Sequence, residues 1–191
     1  INLSISEHGL DIRNAFSSIY MPEAISKKRV SIPVNTIREI QQACYEIDDD
    51  MRWLMALISD TGMRLAEAAG LHINDIHLDE KIPYVDIRPY PWRRLKTNSS
   101  QRQIPLVGAS LWAAKRVKVN ASSYFAFPRY TDEEKCNANS ASNSLNKWIQ
   151  TNFRDDIVIH GFRHAFRDRL RAVQCPSDMI DQIGGWTSGK I

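Results

Sequence analysis

Several features that would mark a specialised chain are scarce or missing. Three cysteines occur in 191 residues, Cys44, Cys136 and Cys175, far apart and without a Cys-x-x-Cys pair. Neither a disulfide framework nor a zinc site is expected from them, and no metal is assigned. The longest uninterrupted apolar run is Trp53 to Ile58, whereas a membrane helix needs roughly 18 to 20 residues. No membrane partner is expected. The polar start, with Asn2, Ser4, Ser6 and Glu7, is unlike a signal peptide. Together with the cysteine usage this makes a reducing, cytoplasmic location the expectation. There is no internal repeat, and the Ser/Asn-rich patch from Asn137 to Ser144 is too short for a low-complexity region.

What is present is ordinary globular material. Hydrophobic residues make up 43% and charged residues 25%, which excludes a disordered, collagen-like or mucin-like chain. The length suits one domain with a sizeable core, or one domain plus the tail of another, and excludes two large domains. Twenty-five basic against 22 acidic residues leave a net charge of +3, a weak pointer to nucleic acid by itself. Distribution says more. From Arg88 to Lys118 there are eight basic residues and no acidic one, while acids gather at Glu46 to Asp50, Asp132 to Glu134 and Asp155 to Asp156. Such a run reads either as solvated surface or as a face for a polyanion.

Periodicity divides the chain at about residue 30. Residues 1–30 read as the tail of a preceding domain and a linker ending near Ser31, after the Lys27-Lys28-Arg29 run. A helix is expected from Pro33 to the acidic run Asp48-Asp49-Asp50, with Ile37, Ile40, Ala43 and Cys44 at helical spacing. A strongly apolar helix follows from Met51 to Ser59. Thr61-Gly62 interrupts it before Arg64 opens another that stops at Gly70. Short strands are expected around Ile73 to Leu78, Tyr84 to Arg88 and Gln103 to Leu106, with Pro89 to Arg102 as a connection. Helices are then expected over Ala109 to Val119, Asn143 to Phe153 and Gly161 to Val173, the last with an apolar stripe of Phe162, Phe166, Leu170 and Val173. A final short helix starts near Pro176 and ends at Gly184-Gly185. The fold class is α+β, mainly helical, with a small antiparallel sheet.

His160-Gly-Phe-Arg163 places an imidazole and a guanidinium three residues apart at a helix opening, an arrangement suited to a phosphate. Alone the pair is weak, because Arg163, Arg167 and Arg171 at four-residue spacing also describe an exposed helix face. Its company is more informative. Thr61-Gly62-Met63-Arg64-Leu65-Ala66-Glu67, then Lys96-Thr97 followed by Arg102-Gln-Ile-Pro-Leu, then His160-Gly-Phe-Arg163 and Gly184-Gly185-Trp186 resemble, in order and spacing, the catalytic domain of the tyrosine site-specific recombinases, or phage integrases.

The resemblance implies an integrase-type catalytic domain over 31–191, with 1–30 a remnant of the last helix and linker of the family's DNA-clamping arm domain. It implies that Arg64 and Arg163 hold the scissile phosphate, a task suited to guanidinium groups facing charge spread over non-bridging oxygens. His160 and Trp186 are then further phosphate contacts, the indole N–H donating without titrating. Lys96 is the general acid for the leaving 5′ oxygen, because an ammonium can release a proton and a guanidinium cannot. Glu67 resembles the family's buried carboxylate that organises the site. Arg93, Arg94 and Arg102, in the basic hairpin, are expected to hold the DNA backbone. The implied activity is DNA cleavage and rejoining by two transesterifications through a 3′-phosphotyrosyl intermediate, in integration or recombination of a phage, prophage or other mobile element. It uses double-stranded DNA and no cofactor.

One element of the pattern is missing. The family's tyrosine would fall four positions past Ile191, and the six tyrosines (Tyr20, Tyr45, Tyr84, Tyr90, Tyr124, Tyr130) all precede His160. This sequence alone is therefore expected to bind DNA without cleaving it and to be monomeric in solution, whereas the parent recombinase would act as a homotetramer on DNA. Two other readings remain open at this point: a type IB topoisomerase-like enzyme that relaxes strands, and a non-catalytic DNA-binding module.

Overall fold

The structure is a computed structural model that describes residues 2–15, 17, 31–96 and 100–186. The chain divides into two compact units, 1–30 and 31–191. In the first, α1 (Asn2–Glu7) is a single short helix without a buried residue, and most of the expected linker lies outside the described residues.

In the second unit the acidic run is put to structural use. The α2 helix (Val34–Ile47) turns Ile37, Ile40 and Cys44 inward and ends at Asp48 in the left-handed region, φ 51°. Asp49 then caps α3 (Asp50–Thr61), its side chain accepting from the Arg52 N–H, while Asp48 accepts from Trp53 Nε1 at 2.7 Å and from the Arg116 fork. Capping in this way satisfies donors that a helix start leaves open. Met51, Leu54, Met55, Ala56, Leu57 and Ile58 are all buried. A helix apolar on nearly every side belongs at the centre of the core, and α3 packs against α2, α5 (Gly108–Val119) and α7 (Ile159–Ala172).

After the short α4 (Leu65–Ala69), Ile73–Asp75 form a 3-10 turn instead of the expected strand. The sheet is β1 (Ile76–His77), β2 (Tyr84–Ile87) and β3 (Arg102–Pro105), antiparallel in that order, with Ile76 opposite Val85 and Val85 opposite Ile104. Alternation puts Val85, Ile87, Arg102 and Ile104 on the buried side.

Two helix starts differ from expectation. The α6 helix (Ala138–Asn152) begins five residues before Asn143: Asn137 caps it by accepting from the Ser140 N–H, and Ala141, Leu145, Trp148 and Ile149 give it a buried face that overrides the low helix preference of Asn and Ser. The α7 helix begins at Ile159, so His160 lies within its first turn. Its apolar stripe fades along its length, for Phe162 is fully buried but Val173 is 74% exposed. Pro176 precedes α8 (Ser177–Gly184), which closes on Gly185 at φ 61°. Among the described residues no helix is long and apolar enough to cross a membrane.

Candidate active site

The site is assembled where four helix ends and a strand meet. Helix α3 stops at Gly62, whose φ of 62° suits glycine and where a Cβ would come within 2.4 Å of Phe166 Cδ1. That stop frees the Gly62 carbonyl to accept from Arg163 Nη1 at 2.7 Å. Two residues later the chain is extended at Arg64, the residue before α4. Glu67 on the first turn of α4 accepts the Arg64 backbone N–H at 2.9 Å and its Nη1 at 2.6 Å. Arg64 also donates to Ser100 Oγ at 3.0 Å and to the Gly185 carbonyl at 3.4 Å.

Arg163 comes from α7 into the same place, although 99 residues separate it from Arg64 (163 minus 64). Its residue exposure is 4%, and Nη2 is buried without a hydrogen-bond partner among the described residues. Burial first, then the positive charge of Arg64, pushes its pKa down to about 10. Two like charges held together, one with an unpaired buried donor, cost stability unless an anion joins them. Trp186 lies against Arg163 and Arg167, whose guanidinium carbons are 4.2 Å and 4.9 Å from the indole centroid. Arg167 is held in turn by Asp181 at 3.1 Å.

Glu67 is 3% exposed. Burial alone would raise its pKa, but hydrogen bonds and charge from Arg102, with the bonds from Arg64, more than offset this and hold the carboxyl below its usual value. The resulting arrangement carries excess positive charge around a single carboxylate.

His160 is exposed on the first turn of α7. It shares with Arg163 the lining of a cavity of about 220 Å³, to which Asn139 and Ser142 of α6 add polar groups. The free helix-end donors expected beside it are partly used, since the Ile159 N–H donates to Asn146 Oδ1 at 2.7 Å and that of Gly161 to the Val158 carbonyl. Lys96 is exposed in a bend of the connection between β2 and β3, and no contact among the described residues ties it to the arginines. Thr97, expected beside it, lies outside the described residues.

The three hairpin arginines separate. Arg94 is exposed. Arg93 is not a surface contact: at 2% exposure it donates to the Glu67 carbonyl at 2.8 Å and to the Arg88 carbonyl. Arg102 is not one either, its side chain being 3% exposed and paired with Glu67. Arg88 binds Asp75 and Asp86, and Arg116 binds Asp48. Of the eight basic residues from Arg88 to Lys118, Arg93 and Arg102 are therefore buried and Arg88 and Arg116 are half-exposed but ion-paired, so the run offers less free positive charge than its sequence suggests. The inward direction of Arg102 has a sequence signal, because it stands two residues from the buried Ile104 in a strand. Ser100, bonded to Arg64, carries no comparable signal, and the Gly184-Gly185 motif marks a helix stop without showing that the Gly185 carbonyl accepts from Arg64.

The model of the phage integrase family matches residues 31–191. No curated protein sequence matches the chain significantly. Among solved structures, the Tn1549 transposon integrase in complex with transposon right end DNA is 17% identical with a TM-score of 0.66, the match covering 98% of this chain and 67% of that one. XerA recombinase is 16% identical at 0.66, covering 97% and 64%. A lambda integrase tetramer bound to a Holliday junction is 16% identical at 0.66, covering 99% and 55%.

Proposed function

The chain belongs to the phage integrase family and carries the catalytic-domain fold of a DNA-breaking and rejoining site-specific recombinase, and from that premise we propose that Arg64 and Arg163 are the ligands of its scissile phosphate. The observation that carries this reading is geometric: Arg163 Nη1 donates to the Gly62 carbonyl two residues before Arg64, Arg64 donates to the Gly185 carbonyl next to the Trp186 ring that Arg163 covers, and the buried Nη2 of Arg163 is unpaired among the described residues. A phosphate would supply the missing acceptor and the missing negative charge together.

In the proposed reaction a tyrosine hydroxyl, from a residue other than those described here, gives up its proton to water and attacks the phosphorus. A phosphotyrosyl bond forms at the 3′ side and the bond to the 5′ oxygen breaks. Arg64 and Arg163 stabilise the charge that builds on the non-bridging oxygens. His160, at the mouth of the cavity that Arg163 lines, and the Trp186 N–H are the further phosphate contacts. Lys96, exposed and without an ion-pair partner among the described residues, gives its proton to the leaving 5′ oxygen. Return attack by a 5′ hydroxyl reverses each step, so phosphoryl bond energy is conserved. Arg94 is the member of the hairpin trio left to hold the DNA backbone.

Double-stranded DNA is the proposed substrate, in the cytoplasm. Residues 1–30 are read as the end of a DNA-clamping arm domain and its linker. The whole recombinase is expected to assemble as a tetramer on DNA and the present chain to be a monomer in solution. The test is a suicide duplex offered to a form of the protein in which the nucleophilic tyrosine follows Trp186. A covalent protein–DNA adduct is expected, lost in Arg64→Ala and Arg163→Ala with duplex affinity largely kept. Binding without any adduct would reduce the protein to a DNA-binding module.

A further inference from the structure

Glu67 is a carboxylate with two arginines, and the second of them is not used by the chemistry above. Arg102 reaches it as a fork, Nη2 to Oε2 at 2.9 Å and Nη1 to Oε1 at 3.3 Å, while Arg64 takes Oε1 with its side chain and Oε2 with its backbone N–H. Each carboxylate oxygen is thus shared between the two residues. The remaining donors of Arg102 bind the chain itself: Nε to the Ile183 carbonyl at 2.7 Å and Nη1 to the Ser100 carbonyl at 2.6 Å. A Cβ on Gly185 would come within 2.9 Å of Arg102 Nη1, so the turn that leads to Trp186 is closed directly over this guanidinium.

Three segments are joined here. Helix α4 contributes Glu67 and, just before it, Arg64. The start of β3 contributes Arg102 and Ser100, at the end of the connection that carries Lys96. The last turn of α8 contributes Ile183 and Gly185. Arg64 touches all three segments through Glu67, Ser100 Oγ and the Gly185 carbonyl, and Arg102 touches the same three. A lysine could not do this, since one ammonium cannot span a carboxylate and two carbonyls with fixed geometry.

Charge completes the argument. If Arg64 alone faced Glu67, a buried one-to-one pair would cancel the charge that the phosphate needs. With Arg102 present, one carboxylate is divided between two cations, so Glu67 can orient Arg64 without neutralising it. Taking the phosphate roles of Arg64 and Arg163 as given, we infer that Arg102 is a positioning residue: it shares the Glu67 carboxylate and pins β3 to α8, holding Arg64 both aimed and cationic toward the scissile phosphate. It makes no contact with DNA.

The experiment measures single-turnover cleavage of a suicide duplex by the tyrosine-bearing form, with the ordinary scissile phosphate and with a neutral methylphosphonate in its place. Arg102→Lys and Arg102→Met are expected to slow cleavage of the phosphate on the order of 100-fold. Duplex affinity should change by no more than about 3-fold, because no direct contact is removed. On the methylphosphonate, which has no anionic oxygen for Arg64 to match, the penalty should shrink to a few-fold. A role limited to folding would lower both substrates alike, and equal penalties overturn the inference. So does wild-type cleavage by Arg102→Met when Arg64→Ala is slow. If Arg102→Met does not fold because it leaves Glu67 charged and buried, Arg102→Met with Glu67→Gln removes both charges and is expected to show the same substrate-dependent penalty. Wild-type cleavage by Arg64→Ala would instead overturn the phosphate assignment itself.

Discussion

Replacing Glu67 by glutamine tests the energetic centre of the site without changing its volume. The carboxylate accepts four hydrogen bonds, at 2.6, 2.9, 2.9 and 3.3 Å, all from Arg64 and Arg102. In the amide one oxygen becomes an NH2 group that faces arginine donors, so about half of these bonds are lost. The two guanidinium groups then confront each other, and Arg163, without their shared counter-charge. Removing one partner from a buried ion pair costs about 3 to 5 kcal/mol. For a unit of this size, about 2 to 4 °C of Tm per kcal/mol gives a fall of roughly 10 °C at pH 7.

Acid should reveal the same group. The Glu67 pKa in the folded protein is held below its ordinary 4.5. A depressed carboxyl contributes stability that is fully present above the unfolded value and is lost as the pH falls through the folded one. Wild-type stability therefore declines below about pH 4.5 by an amount that includes this pair, and Glu67→Gln should decline less steeply. Thermal melts followed by circular dichroism from pH 7 to pH 3 measure both effects. A variant within about 1 °C of wild type at pH 7, or a gap that stays constant into acid, would refute the reasoning.

Gly62→Ala combines a positive φ with a Cβ 2.4 Å from Phe166 and should cost about 2 to 4 kcal/mol in urea unfolding; an unchanged midpoint would mean that α7 yields freely. Arg93→Ala leaves the Glu67 and Arg88 carbonyls without their donor and should destabilise by about 2 to 4 kcal/mol, with no change in the salt dependence of DNA binding. Arg94→Ala should do the reverse, leaving the Tm in place and lowering the log–log salt slope by roughly 1; a salt effect from Arg93 or a large Tm loss from Arg94 would count against their placement. Trp186→Phe keeps a ring beneath Arg163 and Arg167 but loses the N–H, so cleavage by the tyrosine-bearing form should slow on the order of 10-fold. Trp186→Ala should be slower still, because the cation–π contact, about 1 to 2 kcal/mol, goes as well; equal rates for the two variants would argue against the stack.

Several residues of the candidate site stand out in the sequence. Arg64, Glu67, Arg163 and Trp186 stand in local motifs, each at a chain feature with its own signature: a glycine stop, a helix start, a Gly-Gly turn. The basic run from Arg88 to Lys118 misleads because a charge count treats every arginine as solvated. Arg93 and Arg102 are instead drawn inward by Glu67 and by carbonyls at helix and strand ends. The start of α6 was missed for a related reason. Asn and Ser favour turns locally, and only the burial of Ala141 and Leu145 against the rest of the unit outweighs that preference.

Local sequence sets the order of elements and the kinds of chemistry present: which segments favour helix, which residues can donate to a phosphate, and which can release a proton. Those properties depend on side-chain type and on spacings of two to four residues, which are local. Folding in three dimensions is what brings Arg163 to the Gly62 carbonyl beside Arg64, leaves Arg163 a buried donor unpaired among the described residues, and divides Glu67 between Arg64 and Arg102. These outcomes depend on contacts between residues 35 and more positions apart. Burial, which removes water as a competing partner, gives those contacts their direction and their strength.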